Sequence, residues 1–280
     1  MTVQDQDTKF EWKNGRLLAE DQHVSYILPS DQTEVDRLEL NHNLWKNVMN
    51  GLFKSPLHEK LTQGIRVLDI GCGPGWWTRD MAKLYPNSEF IGIDMAKFFV
   101  TKDLPSNVTF KNMNITTGLN FQDEHFDFVF QRFLVMGLPP DQYKQCLKEI
   151  KRILKPGGSI EIIELVNDYA KAGPAFKQIS EWSKNMDSFI ADKISGFFSD
   201  TGFIDIKDKN YNVPIGTWGN ETGKAFLEIQ KLALPAVQVM VTQLTPVTAE
   251  EYEKTMKEAF EEVERYTIST RFRLIYAIKP

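Results

Sequence analysis

A chain of 280 residues, 42% apolar and 25% charged, can bury a sizeable core in one large domain or two small ones. Its formal charge of −5 and pI near 5.5 exclude the overall basic footprint of a nucleic-acid binder. Two cysteines, Cys72 and Cys146, exclude a disulfide-stapled secreted scaffold. Residues 1–12 are polar and lack an apolar stretch behind positive charge, so no signal peptide is expected. No run is read as the ~18 apolar residues of a membrane span. The expected location is therefore cytoplasmic, with the nucleus open.

Residues 1–7 are expected to be disordered. The stretch 31–54 reads as a helix, with apolar residues recurring at Val35, Leu38, Leu44, Val48 and Leu52. Asp31 can cap its start, with Glu34 as the box partner. From residue 65 strands and helices alternate. Strands are predicted at 65–70, 90–93, 108–111, 126–130 and 159–164, and helices at 76–84, 96–102 and 142–154. The first two strands are almost continuously apolar, as strands covered on both faces are. Pro156, Gly157 and Gly158 stop the helix before the fifth strand. Helices follow at 175–186 and 188–200, with Gly202 as a stop, then a strand at 203–213. A helical stretch at 221–241 contains Pro235, which should kink or break it. Thr248 and Glu251 form a capping-box signature before a helix striped by Tyr252, Met256, Phe260 and Val263, and a strand at 272–278 follows. The alternation predicts a doubly wound α/β domain over 61–280 behind an N-terminal extension, 1–60, whose helix packs on the ligand site.

The strongest local signal is VLDIGCGPG, where an apolar strand runs into Gly71, Gly73 and Gly75 and a helix follows. Such glycines permit unusual backbone angles and close ligand approach, and open α/β sheets bind ligands at the carboxyl ends of their strands. The dinucleotide fingerprint is G-x-G-x-x-G. Here the register is G-x-G-x-G, and bulky Trp76 stands at the sixth position. Asp69, just before the loop, adds negative charge that disfavours a pyrophosphate and suits an amine. S-adenosylmethionine has a sulfonium, an amine and a carboxylate, and no phosphate. Asp94 ends the second strand, 19 residues after Gly75, where a carboxylate can accept bonds from both ribose hydroxyls. Each such bond is worth ~1.5–3 kcal/mol.

VLDIGCGPGWWT, FIGIDMA, FDFVFQRFLVMGL and LKEIKRILKPGGSIEIIE resemble successive motifs of the class I S-adenosylmethionine-dependent methyltransferases. YILPSDQTEVDRLELNH, VPIGTWG and YAIKP are similar to segments of the fungal LaeA-like methyltransferases. The resemblance implies a Rossmann-like, seven-stranded, mostly parallel sheet with helices on both faces and its last strand antiparallel. It implies that Gly71, Gly73 and Gly75 pass along the methionine part of the cofactor, beside Trp76, and that Asp69 orients the amine. Asp94, with Met95, would hold the ribose. Asn114, with Ile115, would lie near the adenine, Gln131 and Arg132 near the methionyl end, and Tyr26 over the cofactor. Asn114 also reads as a turn residue, Arg132 as a solvated charge, and Tyr26 as packing for the extension.

Methyl transfer from a sulfonium needs a general base only if the nucleophile loses a proton as it reacts. The histidines are His23, His42, His58 and His125. His42 and Glu164 are the candidates for such a role, and neither is assigned it, so the catalytic residues stay unknown. No C-x-x-C or H-x-x-x-H spacing points to a metal. Phe176, Trp182, Met186, Phe189, Phe197, Phe198 and Trp218 supply apolar area for the core or for a lid over the acceptor. A small-molecule acceptor is expected, with no nucleic acid and no membrane. A regulatory or protein-directed role, or cofactor binding without turnover, stays open as the alternative, and with it a protein partner.

Overall fold

A computed structural model describes residues 9–13, 16–20, 31–134, 138–184 and 190–280. Residues 1–7, expected to be disordered, Tyr26, His23, Met186 and Phe189 lie outside these. In chain order the elements are β1 (Lys9–Lys13), β2 (Arg16–Glu20), α1 (Gln32–Val48), α2 (His58–Gln63), β3 (Arg66–Ile70), α3 (Trp76–Leu84), β4 (Glu89–Asp94), β5 (Val108–Asn112) and β6 (Phe126–Arg132). There follow α4 (Pro140–Ile153), β7 (Leu154–Ala170), α5 (Pro174–Lys184), α6 (Ile194–Thr201), β8 (Ile204–Pro214), α7 (Asn220–Leu244), α8 (Ala249–Glu262) and β9 (Ser269–Ile278).

β1 and β2 form an antiparallel pair. The other strands make one seven-stranded sheet in the order β5-β4-β3-β6-β7-β9-β8. β3 pairs in parallel with β4 and β6, and the parallel pairing extends to β5 and β7. β9 runs antiparallel to both of its neighbours, β7 and β8. Because side chains alternate across a strand, each strand feeds two cores. Val67, Phe90, Phe128 and Phe130 face α1, α3, α5 and α7. Leu68, Ile70, Ile93 and Val129 face α4 and α6.

Four expectations are corrected. The first helix ends at Val48 and not near 54, because Asn50 and Gly51 take φ of 47° and 141° and turn the chain away. Asp31 does cap it, accepting from Glu34 N at 3.0 Å. No helix forms at 96–102. Its backbone is held by other groups: Ala96 N donates to Asp94 Oδ1, Val100 N to Pro74 O, and Arg79 to the Val100 and Lys102 carbonyls. The helix expected at 188–200 is shorter, Ile194–Thr201, after a single 3-10 turn at Ala191–Lys193.

Finally, α7 runs through Pro235 unbroken. The proline costs one backbone bond, and burial of Phe226, Ile229, Leu234, Ala236 and Met240 offsets that loss. The Tyr252 hydroxyl also ties the helix at this point, donating to Leu234 O at 2.9 Å. By length and composition α7 passes as a membrane span. Here it packs against α1, α8 and β8, with Lys224, Glu228 and Lys231 on its exposed side.

Glu161, wholly buried on β7, pins the segment after α1 to the sheet. Its carboxylate accepts from Lys54 N, Ser55 N and the Ser55 hydroxyl.

Candidate active site

The carboxyl ends of β3, β4, β5, β6 and β7 open into a cavity of about 250 Å³, roofed by α1 and α7. The glycine loop forms one wall. Gly71 and Cys72 both donate their N–H to Ile93 O, which bends the chain tightly across the end of β4. Gly75 has φ 90°, and a Cβ there would lie 2.1 Å from the Phe110 ring. That contact explains the glycine by packing. Gly71, Gly73 and Trp76 line the cavity, and Gly75 sits behind it.

Asp69 and Asp94 meet at this wall. Asp69 accepts from the Thr78 hydroxyl at 2.6 Å. Asp94 accepts from Gly73 N at 2.8 Å and Ala96 N at 2.9 Å. Burial pushes Asp69 up to about 7 and Asp94 up to about 6, because a desolvated carboxylate resists ionising. Met95, Asn114 and Ile115 also line the cavity. Asn114 is a turn residue as well, its Oδ1 accepting from Thr116 N and Thr116 Oγ1.

The two residues ending β6 part company. Arg132 follows the face of Phe130 and lines the cavity. Burial lowers it to about 10, and the nearby Asp69 charge opposes that shift. Gln131 points to the opposite face, its Nε2 donating to Tyr143 Oη at 2.9 Å and Glu164 Oε1 at 3.1 Å. The expected approach of Gln131 to the methionyl end is therefore corrected: strand alternation turns it toward α4. Glu164 lies outside the cavity lining too, and accepts from Leu134 N at 3.0 Å.

His42 is buried beside the cavity. Its Nδ1 accepts from Arg132 Nη2 at 3.4 Å, and its Nε2 meets Asp80 Oδ2 at 3.2 Å. Burial lowers its pKa, so the neutral ring orients Arg132. His58 bonds Tyr85 Oη, and His125 stacks at Phe121. Among the described residues no cluster of three or more His, Cys, Asp or Glu is placed to hold a metal.

Several lining residues were not singled out as site residues in the sequence, although those of α1 lie within the segment YILPSDQTEVDRLELNH. α1 contributes Glu34, Arg37, Leu38 and Asn41, with Glu34 and Arg37 paired at 2.6 Å. β7, α5 and α7 contribute Asn167, Tyr169, Ser183 and Gln230 among apolar neighbours. Of the aromatic lid candidates, Phe176, Phe197 and Phe198 are core, Trp182 packs on that core, and Trp218 is exposed.

The charged groups lie at one end of the cavity: carboxylates from Glu34, Asp69 and Asp94, guanidinium groups from Arg37 and Arg132. Asp69 and Asp94, buried carboxylates at the strand ends, suit a cationic nucleoside with an amine, and Arg37 is already paired with Glu34. Arg132 and the buried Trp76 Nε1, which has no hydrogen-bond partner among the described residues, suit its carboxylate. The residues present fit S-adenosylmethionine.

Residues 67–158 match the family model described as "Methyltransferase domain". The domain match, the sheet topology and the strand-end chemistry together resemble those of the class I S-adenosylmethionine-dependent methyltransferases. Within that class the chain resembles the fungal LaeA-like methyltransferases. It is 31% identical over 154 residues to the secondary metabolism regulator laeA of Coprinopsis cinerea, a match that takes in 54% of this chain and only 38% of that protein. It is 27% identical over 285 residues to the N-methyltransferase verN of Clonostachys rogersoniana, covering 95% of this chain and 96% of that one. A solved S-adenosylmethionine-dependent methyltransferase from Archaeoglobus fulgidus shares the fold, with TM-score 0.51, 16% identity, and coverage of 89% of this chain and all of that one.

Proposed function

We propose that the chain transfers the methyl group to a small-molecule acceptor held in the deep end of the same cavity. One observation carries this reading. Beyond the charged end, the cavity continues between β7, α5 and α7 into a chamber whose walls are mostly buried residues, including Phe226, Leu234, Met240 and Phe272, with Leu165, Ala233 and Val237 half-buried. A recessed, largely apolar chamber suits a compact ligand better than a folded protein surface. The name of the verN relative, an N-methyltransferase that this chain matches over nearly its whole length, supports small-molecule chemistry.

The bound cofactor supplies an electrophilic methyl group on a sulfonium. The protein's part is placement. Asp69, Asp94 and Arg132 fix one reactant, the chamber fixes the other, and exclusion of water keeps the nucleophile unsolvated. Such positioning can be worth ~7–11 kcal/mol of barrier. Neither His42 nor Glu164 reaches the cavity wall, so no general base is assigned.

The similarity to laeA supports a second reading, a regulatory or protein-directed methyltransferase, or a binding module without turnover. Incubation with methyl-labelled S-adenosylmethionine and a mixed metabolite and protein extract separates them. Label in the low-mass fraction is expected. Label only in protein, or no S-adenosylhomocysteine formed, would overturn the small-molecule reading.

A further inference from the structure

The deep chamber is apolar but not uniformly so. β7 overhangs the parallel sheet after its pairing with β6 ends at Ile163. Along this overhang Leu165, Asn167 and Tyr169 all line the cavity. Between Leu165, opposite Phe272, and Tyr169, opposite Thr270, β7 carries two more residues than β9, so the strand bulges. Asn167 sits in the bulge at φ 57°, the left-handed region that asparagine tolerates better than most residues. Its carbonyl accepts from the Ser180 hydroxyl at 3.0 Å, which anchors the bulge to α5.

The Asn167 side chain is the anomaly. The residue is only 3% exposed, and its amide nitrogen has no hydrogen-bond partner among the described residues. Buried amides are almost always bonded, and bulges near active sites commonly re-aim a side chain. Gln230, 6% exposed on α7, lines the same chamber. Every charged residue lining the cavity comes from α1, β3, β4 or β6. None comes from β7, α5, α7 or β9.

On the methyltransferase reading above, we propose that Asn167, assisted by Gln230, forms the acceptor-recognition subsite. It selects an uncharged, largely apolar molecule by hydrogen bonding to a carbonyl group. A cation or carboxylate would be desolvated in the chamber with no counter-charge. A pure hydrocarbon would leave the Asn167 amide unbonded. The terminal torsion of an asparagine is broad and two-fold, so the amide can present either its nitrogen or its oxygen.

The test uses four naphthalene probes of matched size: the carboxamide, the carboxylate, the aminomethyl cation and the ethyl hydrocarbon. Dissociation constants are read by ligand-observed NMR on the full chain saturated with S-adenosylhomocysteine. The carboxamide should bind about tenfold more tightly than each of the others, the factor that one hydrogen bond to a buried amide supplies. Asn167→Gly suits the positive φ and removes the amide, and Asn167→Asp keeps its shape. Gln230→Leu tests the second element. Asn167→Gly should bring the carboxamide to the hydrocarbon's level and leave ethylnaphthalene binding in place, and Asn167→Asp, which supplies a counter-charge, should shift the preference to the aminomethyl cation. In the unsubstituted protein, preference for a charged probe or no probe bound at all would overturn the proposal, as would equal loss of all four in the glycine variant. A separate calorimetric titration with S-adenosylhomocysteine keeps the two readings apart. No heat there sinks the methyltransferase reading. Normal heat without a carboxamide preference sinks only the subsite.

Discussion

Cofactor affinity should depend steeply on pH between 6 and 8, because the carboxylates that would hold it are largely protonated in the empty site at the lower end. Burial sets Asp69 near 7 and Asp94 near 6; ionised Asp69 attracts the amine, and ionised Asp94 is the strong acceptor for the ribose hydroxyls. At pH 8 both are charged in about nine molecules of ten. At pH 6 Asp69 is charged in about one of eleven and Asp94 in about half, so the competent fraction falls about twentyfold. Binding at pH 6 should release about 1.4 protons, and at pH 8 about 0.1. Calorimetry with S-adenosylmethionine, in two buffers of different ionisation heat, reads affinity and proton release together. Asp69→Asn cannot ionise, so it should bind weakly throughout and lose most of the slope above pH 6. An affinity that stays level from pH 6 to 8, with no proton release, would refute the reasoning. The same shifts carry a stability consequence with the opposite sign. A carboxylate raised in the folded state stabilises the ligand-free protein fully below about 4, and that contribution fades as pH rises through about 7. Asp69→Asn should therefore flatten the pH dependence of Tm in that window.

Asp94→Asn should weaken S-adenosylhomocysteine binding about tenfold at pH 8, measured by calorimetry, through loss of charged acceptor bonds. Unchanged affinity would remove Asp94 from the site. Glu161→Ala orphans the Lys54 and Ser55 N–H groups and the Ser55 hydroxyl, so denaturant titration should show a loss of about 3 kcal/mol. Glu161→Gln should recover part of that loss. Gly75→Ala places a methyl group into the Phe110 ring at a positive φ, and should cost about 2–4 kcal/mol in the same titration. Gly157→Ala, at φ 70° with nothing within 4 Å, is the control for backbone strain alone and should cost less.

The sheet was legible where local signals agree. Mainly apolar segments, the glycine loop and an aspartate at or next to each strand's end mark β3 and β4 without help from the rest of the chain. The absent helix at 96–102 was not legible, because distant groups from Pro74 and Arg79 decide its backbone. Pro235 misleads in the same way, since a locally unfavourable residue survives inside a helix held by burial. Gln131 and Arg132 were separable in principle. Phe128 and Phe130 set the parity of the strand, and counting on by two reaches Arg132. Asn167 was not separable. Nothing in Glu164-Leu165-Val166-Asn167 announces a bulge, which exists only because β9 pairs on both sides of it. The contribution of α1 was legible as a helix, and its position over the strand ends is a fact of packing.

The tie from Tyr252 to Leu234 has reach beyond α7 itself. Leu234 lines the apolar end of the cavity, whereas Tyr252 belongs to a helix that contributes none of the described lining residues. The shape of the chamber is thus under remote control. Substitutions scattered over α8 can widen or narrow it while every lining side chain stays the same. A laboratory library that varies α8 therefore reaches the cavity's shape through positions that inspection of its lining would overlook.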